Sequence, residues 1–193
     1  MEVIAKVPLV TGDNLEVFAG LLQENHFLKL IEHKDYICKV LEEVATYNKE
    51  NDSILGMVAL IESAKNDLSK VIKIWQDEQS AIKKVEFFSE RKLAYFCIKS
   101  MEALAYLNTN NIYFGDMKPE NLLLFKDYRI KLGDLGVSLK IPDDFTPDSE
   151  IYLKGLTPKY SLEELGEKYN KDQPVTVKDL YCNDNYSLMR TFQ

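Results

Sequence analysis

Residues 112–136 contain most of the side chains in this sequence that could act together in a reaction. Asp116, Lys118 and Asn121 lie within six consecutive positions, and Asp134 follows in an Asp-Leu-Gly turn after two short apolar segments. Hard cations such as Mg²⁺ take oxygen ligands from Asp and Asn, a lysine neutralises phosphate oxygens, and a carboxylate orients an attacking hydroxyl. This combination of residue types indicates Mg²⁺-assisted phosphoryl transfer.

Turn formation is the competing explanation for the same residues, because Asp and Asn are common in turns beside proline and glycine. For any one of these residues, a role in forming a turn next to Pro119 or Gly136 accounts for its presence as well as a catalytic role does. The four residues together, at this spacing, favour phosphoryl transfer.

Several helices and strands must position this segment. Residues 89–107 form the clearest predicted helix, with Met101 on its apolar stripe, and residues 15–31 form a second one after an N-cap at Asp13. Shorter helices are predicted over 67–75, 161–169 and 186–192. Strands are predicted over 1–8, 36–47, 54–62, 112–114, 122–125 and 130–132.

Residues 114–121, with the sequence FGDMKPEN, resemble the His-Arg-Asp-Leu-x-x-x-Asn catalytic loop of eukaryotic protein kinases. The Asp-Leu-Gly turn that begins at Asp134 stands where this family has Asp-Phe-Gly. The resemblance implies that Asp116 is the catalytic base and that Lys118 contacts the transferring phosphate. It also implies that Asn121 and Asp134 bind Mg²⁺, with ATP as phosphate donor and a protein hydroxyl as acceptor. A lysine at 118 is typical of the serine/threonine-specific kinases.

The resemblance continues towards the C-terminus. Residues 157–164, TPKYSLEE, resemble the T-P-x-Y-x-A-P-E end of the kinase activation segment, although Ala-Pro-Glu has become Leu-Glu-Glu. Residues 184–188, DNYSL, resemble the start of the long helix that anchors the catalytic loop. The matched region therefore reaches into that anchoring helix.

Residues 61–68 resemble the last strand of the small kinase lobe, the hinge and the start of the next helix. In this alignment Ile61 is the gatekeeper residue, and backbone groups of Glu62 and Ala64 pair with adenine. Leu123, which follows the catalytic loop, is implied as a further ATP-binding residue. Backbone groups carry the adenine recognition, so divergent hinge side chains do not weaken the resemblance.

The remaining small-lobe residues are aligned by counting back from His33, which resembles the His of the family's His-Pro-Asn. This places Glu24 at the helix glutamate and Lys6, in the sequence VIAK, at the strand lysine. The resemblance implies that Lys6 holds the α- and β-phosphates of ATP while Glu24 orients its amine. An exposed lysine near the terminus and a solvated helix glutamate are the alternatives.

Phe114 and Gly115 replace the His and Arg of the family's catalytic loop. The family's His packs as an apolar spine residue, so we expect Phe114 to align with Leu28, Val40 and Leu135. Gly115 provides no guanidinium to bind a phosphate on the activation segment. We therefore expect that phosphorylation in this segment does not switch the protein in the usual way; the candidate positions are Thr146, Ser149 and Tyr152.

No G-x-G-x-x-G loop precedes Lys6, and the sequence ends within the predicted anchoring helix. We therefore expect a partial kinase domain, running from the third small-lobe strand to the start of that helix. The expected fold is α+β and two-lobed. Residues 1–64 form the small-lobe remainder and hinge, and residues 65–193 form a mainly helical large lobe with the catalytic loop and activation segment.

Composition limits the classes of function that remain. The 193 residues carry a net charge of −7, which argues against a nucleic-acid-binding protein, and no apolar run is long enough for a membrane helix. Three scattered cysteines predict a reducing setting, cytoplasmic or nuclear. A catalytically silent kinase-like module that binds a nucleotide or a protein partner is the alternative to an active kinase. The oligomeric state does not follow from the sequence.

Overall fold

Short strands alternate with helices along the chain. The structure, a computed structural model, describes residues 3–7, 24–31, 33, 35–48, 53–76 and 90–193. The strands are β1 (Val3–Lys6), β2 (Val40–Asn48), β3 (Ser53–Glu62), β4 (Asn66–Asp67), β5 (Ile112–Tyr113), β6 (Leu122–Leu124), β7 (Ile130–Leu132), β8 (Leu139–Lys140), β9 (Glu150–Ile151) and β10 (Val175–Thr176). The helices are α1 (residues 24–30), α2 (Leu68–Gln76), α3 (Glu90–Thr109), α4 (Glu163–Asn170) and α5 (Val177–Thr191). The predicted α+β fold is confirmed.

An antiparallel sheet with the strand order β1-β3-β2 forms the N-terminal part. The strand β1 lies at the sheet edge and pairs with β3 from Val3 opposite Glu62 to Lys6 opposite Ala59. Helix α1 buries Phe27 and Leu28 in the hydrophobic core. The sheet and this helix together fix the positions of Lys6 and Glu24.

Strands β6 and β7 position the two loops that carry the candidate catalytic residues. They pair antiparallel, with Leu122 opposite Leu132, so the loop that ends at Asn121 and the loop that begins at Gly133 lie side by side. The Gly133 amide donates to the Asn121 carbonyl at 3.0 Å. Two segments that are distant in sequence therefore form one surface.

The predicted spine residues belong to one buried cluster. Leu28, Val40, Phe114 and Leu135 are all at most 8 % exposed and lie in the larger of two hydrophobic cores. Phe114 thus packs as an apolar residue at the position where the kinase motif has histidine. The second core includes Tyr113, Leu139, Leu165, Val177 and Leu180, and Ile151, Leu153 and Leu162 pack against it.

Two predicted start positions differ from the structure by several residues. The strand expected over 36–47 begins at Val40, because Ile37 forms only an isolated bridge to Leu132. The helix expected over 186–192 begins at Val177, where Thr176 and Asp179 form a reciprocal capping box. The capping residues Thr176 and Asp179 therefore lie before residue 186, at which the predicted helix begins.

The helix expected over 89–107 is present as α3, but its apolar stripe is only partly buried. Phe96, Leu104 and Leu107 are in the core, whereas Met101 is 54 % exposed, contrary to expectation. The strands predicted over 112–114 and 122–125 each end one residue earlier than expected.

Some predictions concern residues outside the described ranges. These are the N-cap at Asp13, the part of the 15–31 helix before residue 24, and the helix start at Ser89. Among the described residues, no helix combines the length and apolar character needed to cross a bilayer. The division into lobes at residue 64 stays a prediction.

Candidate active site

The Asp116 carboxylate is at the centre of a hydrogen-bonded network. Its Oδ2 atom lies 2.6 Å from Lys118 Nζ and accepts a hydrogen bond from Asn121 Nδ2 at 2.9 Å. Its Oδ1 atom accepts a hydrogen bond from the Thr157 hydroxyl at 2.5 Å. Lys118 Nζ also donates to Thr157 Oγ1 at 3.2 Å. The structure therefore brings Asp116, Lys118 and Asn121 together and adds a hydroxyl from the activation segment.

The backbone before Asp116 is held by a buried carboxylate on α5. Asp184 Oδ2 accepts a hydrogen bond from the Phe114 amide, and Oδ1 accepts one from the Gly115 amide, both at 2.9 Å. Burial raises the pKa of Asp184 to about 7, and the two amides oppose that shift. These bonds fix the loop on which Asp116 stands.

A cavity of about 440 Å³ adjoins the network. Its walls come from β1, α1, the end of β3, the catalytic loop and the Asp-Leu-Gly turn. The predicted site residues that line it are Lys6, Glu24, Asn121, Leu123 and Asp134, together with the predicted gatekeeper Ile61.

Lys6 and Glu24 form an ion pair at the cavity wall. Lys6 Nζ lies 2.5 Å from Glu24 Oε2 and 3.8 Å from Asp134 Oδ1. The Glu24 side chain is only 7 % exposed. Burial raises the pKa of this carboxyl, and the Lys6 ammonium opposes the shift. The pairing that the resemblance implied is thus present in the geometry, and Lys6 reaches towards the Asp134 carboxylate.

Asn121 and Asp134 have the donor atoms that Mg²⁺ prefers. The Asn121 amide nitrogen is used twice, for the Asp116 carboxylate and for the Asp116 carbonyl at 2.8 Å, which leaves the amide oxygen for a cation. The Asp134 side chain is 52 % exposed where it lines the cavity, and its backbone φ is 59°. Mg²⁺ is often held by one or two protein oxygens together with phosphates and water. These two residues therefore fit the ion.

Leu123 packs directly against Gly133 at the cavity wall. A Cβ atom on Gly133 would lie 2.6 Å from Leu123 Cδ1, so a larger residue there would displace the leucine. The apolar surface at this point of the cavity depends on that close approach.

The predicted hinge residues Glu62 and Ala64 lie outside the cavity wall. The Glu62 side chain instead lies 2.5 Å from Lys131 Nζ, which is buried, and it accepts a hydrogen bond from the Lys39 amide at 2.8 Å. The Glu62 amide donates to the Lys39 carbonyl at 3.0 Å, and the Glu62 carbonyl accepts a hydrogen bond from the Cys38 thiol at 3.9 Å, which leaves this carbonyl one further lone pair for a ligand.

Thr157 is the site residue to which our sequence reasoning assigned no role. It lies in the TPKY sequence that resembles the end of the activation segment, and this match was the available signal. Its contact with Asp116 joins residues 41 positions apart, which only the fold reveals.

Comparison with known proteins identifies the family. The model of the protein kinase domain matches residues 5–175, which is most of the chain, and the chain therefore belongs to the protein kinase family.

Its relatives include serine/threonine kinases of several kinds. The chain is 36% identical over 91 residues to serine/threonine-protein kinase Nek3 of Oryza sativa subsp. japonica, covering 46% of this chain and 15% of that protein. It is 27% identical over 159 residues to mitogen-activated protein kinase 20 of Arabidopsis thaliana, covering 81% and 24%. It is 34% identical over 97 residues to calcium/calmodulin-dependent protein kinase type II of Caenorhabditis elegans, covering 48% and 13%. The chain thus spans less than a quarter of the length of each of these relatives.

Proposed function

We propose that this chain transfers the γ-phosphate of ATP to serine or threonine hydroxyls of protein substrates. The observation that carries the proposal is the hydrogen bond from the Thr157 hydroxyl to Asp116 Oδ1 at 2.5 Å, with Lys118 beside both. It shows that a hydroxyl can donate to this carboxylate next to the cavity. A substrate hydroxyl would approach the same carboxylate.

Asp116 acts as the base in this proposal. As the substrate oxygen forms its bond to the γ-phosphorus, the bond from that phosphorus to the ADP oxygen breaks, and the hydroxyl proton passes to Asp116. Lys118 lies 2.6 Å from the same carboxylate and places positive charge beside the reacting oxygens. The positions of both residues rest on Asn121 and Asp184, which hold the loop.

The cavity binds ATP in this proposal. Lys6, oriented by Glu24, neutralises phosphate oxygens, and backbone groups of Glu62 and Ala64 pair with adenine over the apolar surface of Leu123. Asn121 and Asp134 would hold Mg²⁺, which when bound neutralises charge on the phosphates. We propose a cytoplasmic setting, with protein substrates as partners.

Phosphate transfer to a generic protein acceptor tests the proposal. We expect Asp116→Asn and Asp134→Ala each to lower the rate by about 10²–10³, as is usual when one electrostatic stabiliser is removed. Asp143→Asn is the matched control, because it removes an exposed carboxylate of the activation segment that does not line the cavity. Transfer that is equally fast after Asp134→Ala would refute the proposal.

A silent kinase-like module is the alternative that the same experiment separates. Thermal-shift measurements with Mg²⁺ and ATP report binding without requiring transfer. Stabilisation by MgATP in the wild type, with no transfer above the Asp116→Asn background, would favour the silent module over the kinase.

A further inference from the structure

Two neighbouring residues of α5 hold the two segments that meet at Asp116. Asp184 accepts hydrogen bonds from the Phe114 and Gly115 amides and so fixes the catalytic loop. Asn183, the residue before it, makes its own hydrogen bonds to other segments. Both side chains belong to residues that are fully buried.

Asn183 bridges the activation segment, which we define as residues 134–164, and the strand before the catalytic loop. Its Oδ1 atom accepts a hydrogen bond from the Leu162 amide at 2.8 Å. Its Nδ2 atom donates to the hydroxyl of Tyr113 at 3.0 Å. Tyr113 is itself fully buried, so this hydroxyl depends on a protein partner.

Residues 157–162 connect this bridge to the reacting groups. The Ser161 hydroxyl donates to the Thr157 carbonyl at 3.1 Å, and the Tyr160 amide donates to the same carbonyl at 3.0 Å. Hydrogen bonds therefore hold the turn together from Thr157 to Ser161, the residue directly before Leu162. A change in the position of Leu162 would move the Thr157 hydroxyl relative to Asp116.

Residue 115 makes no side-chain contact that could hold the activation segment in place of Asn183. Gly115 has no side chain, so the activation segment receives no guanidinium contact from the catalytic loop. Asn183 instead joins that segment to strand β5, which precedes the catalytic loop. The groups that it joins, the Leu162 amide and the Tyr113 hydroxyl, are both uncharged.

We propose that Asn183 is a positioning residue that, with Tyr113, holds residues 157–162 in the geometry for accepting a protein substrate, with no phosphate on the activation segment. This inference rests on the proposed kinase function. Asn183 acts through Leu162 and Thr157 and does not itself touch the reacting atoms. Its effect is on the acceptor side of the site and not on the ATP side.

Steady-state kinetics of Asn183→Leu and Tyr113→Phe test this role. Removing the bridge releases the Leu162 amide from its partner, and we expect the resulting misplacement of residues 157–162 to lower kcat/KM for the protein acceptor by about tenfold to hundredfold. We expect Asn183→Leu to show that loss while its KM for MgATP stays within about twofold. Tyr113→Phe, which keeps the ring, should lose less, and the double variant should be no worse than Asn183→Leu alone, because both changes remove one bridge.

Ser187→Ala is the matched control, since it removes a buried hydrogen bond to the Asn183 carbonyl within α5 and leaves the bridge intact. Hydrogen exchange provides a readout that does not need activity: the Leu162 amide should exchange faster in Tyr113→Phe and Asn183→Leu than in Ser187→Ala. Equal losses for MgATP and acceptor, additive effects, or unchanged Leu162 exchange would overturn the inference. A wild type without transfer would refute the kinase proposal, and the exchange experiment would still decide the role of Asn183.

Discussion

At the scale of single residues, Gly115 takes a backbone conformation that other residues rarely adopt. Its φ of +83° lies in the region that favours glycine. A Cβ atom at this position would lie 2.9 Å from Tyr113 Cε1. A side chain at 115 would therefore require the Tyr113 ring to shift, and the positive φ would strain it in addition.

Gly115→Ala should destabilise the protein. The substitution combines a positive φ with a contact that no relaxed Cβ makes, and we expect a loss of about 1–3 kcal/mol in the free energy of unfolding. Urea denaturation measures it.

Gly166→Ala is the control for that measurement, because Gly166 lies in α4 and a Cβ atom there meets nothing within 4 Å. It should be neutral or stabilise by up to about 1 kcal/mol. If both alanine variants had the same stability, the strain assigned to Gly115 would be absent.

At this scale, the sequence predicts which side chains come together when they are close along the chain. Asp116, Lys118 and Asn121 are close in sequence and carry functional groups whose combination is chemically specific. Thr157 could not be given a role in the same way, because its contact with Asp116 depends on how the activation segment folds back. The bridge made by Asn183 was missed for the same reason, since its partners lie 21 and 70 positions away.

At the scale of elements, the activation segment is held by backbone hydrogen bonds. Strand β9 within the segment pairs with β10, with Ile151 opposite Val175. The amides of Val177 and Lys178, at the start of α5, donate to the carbonyls of Ser149 and Pro147 at 3.0 and 2.9 Å. This ladder fixes the middle of the segment without any charged group.

Combined replacement of Thr146 and Ser149 by Ala and Tyr152 by Phe should leave kinase activity within about twofold of the wild type. The ladder uses backbone atoms, and Gly115 has no guanidinium to bind a phosphate on any of the three. Acidic replacements should likewise change little. Phosphate transfer to a protein acceptor is the measurement; loss of activity in the first variant with recovery in the acidic one would contradict it.

Helices and strands could be predicted where apolar residues recur regularly over a long continuous segment. The helix α3 and the strand β3 follow from apolar periodicity over many residues. The start of α5 was missed because Pro174 and the polar residues before it suggested a loop, whereas Thr176 and Asp179 already contain the capping signal. The start of β2 was predicted too early because residues 36–38 are apolar, although only Ile37 forms a bridge.

At the scale of the whole molecule, buried carboxyls make stability depend on pH. Burial raises the pKa of Asp184 to about 7 and also raises the pKa of Glu24. For an acid whose pKa is raised by folding, the native state binds the extra proton, so its stabilising contribution is complete below the unfolded pKa of about 4. It is lost as the pH rises through the folded pKa.

The wild type should therefore lose stability relative to Asp184→Asn as the pH rises from about 4 to about 7. Urea denaturation of both proteins across this range gives the difference in the free energy of unfolding. Asp143→Asn is the control, because the Asn111 amide and then Lys140 lower the pKa of that exposed carboxyl. Its contribution therefore changes only below the unfolded pKa of about 4, and its difference from the wild type should stay constant from about pH 4 to about pH 7. A constant difference between the wild type and Asp184→Asn would show that Asp184 stays ionised throughout.

The fold class and the family could be recognised from the catalytic loop and the Asp-Leu-Gly turn. The position of the hinge relative to the cavity could not, because the direction of the Glu62 side chain depends on Lys131, which is 69 residues away. Sequence patterns report which residues are apolar or reactive, whereas long-range pairs of this kind are set by packing.

The helix α5 contributes to both hydrophobic cores, since Leu188 belongs to one and Val177 and Leu180 belong to the other. The adjacent residues Tyr113 and Phe114 are divided between the cores in the same way. Neither core can come apart without exposing apolar surface of the other. We therefore expect the loss of one core to weaken the packing of the other, and the catalytic loop to depend on both.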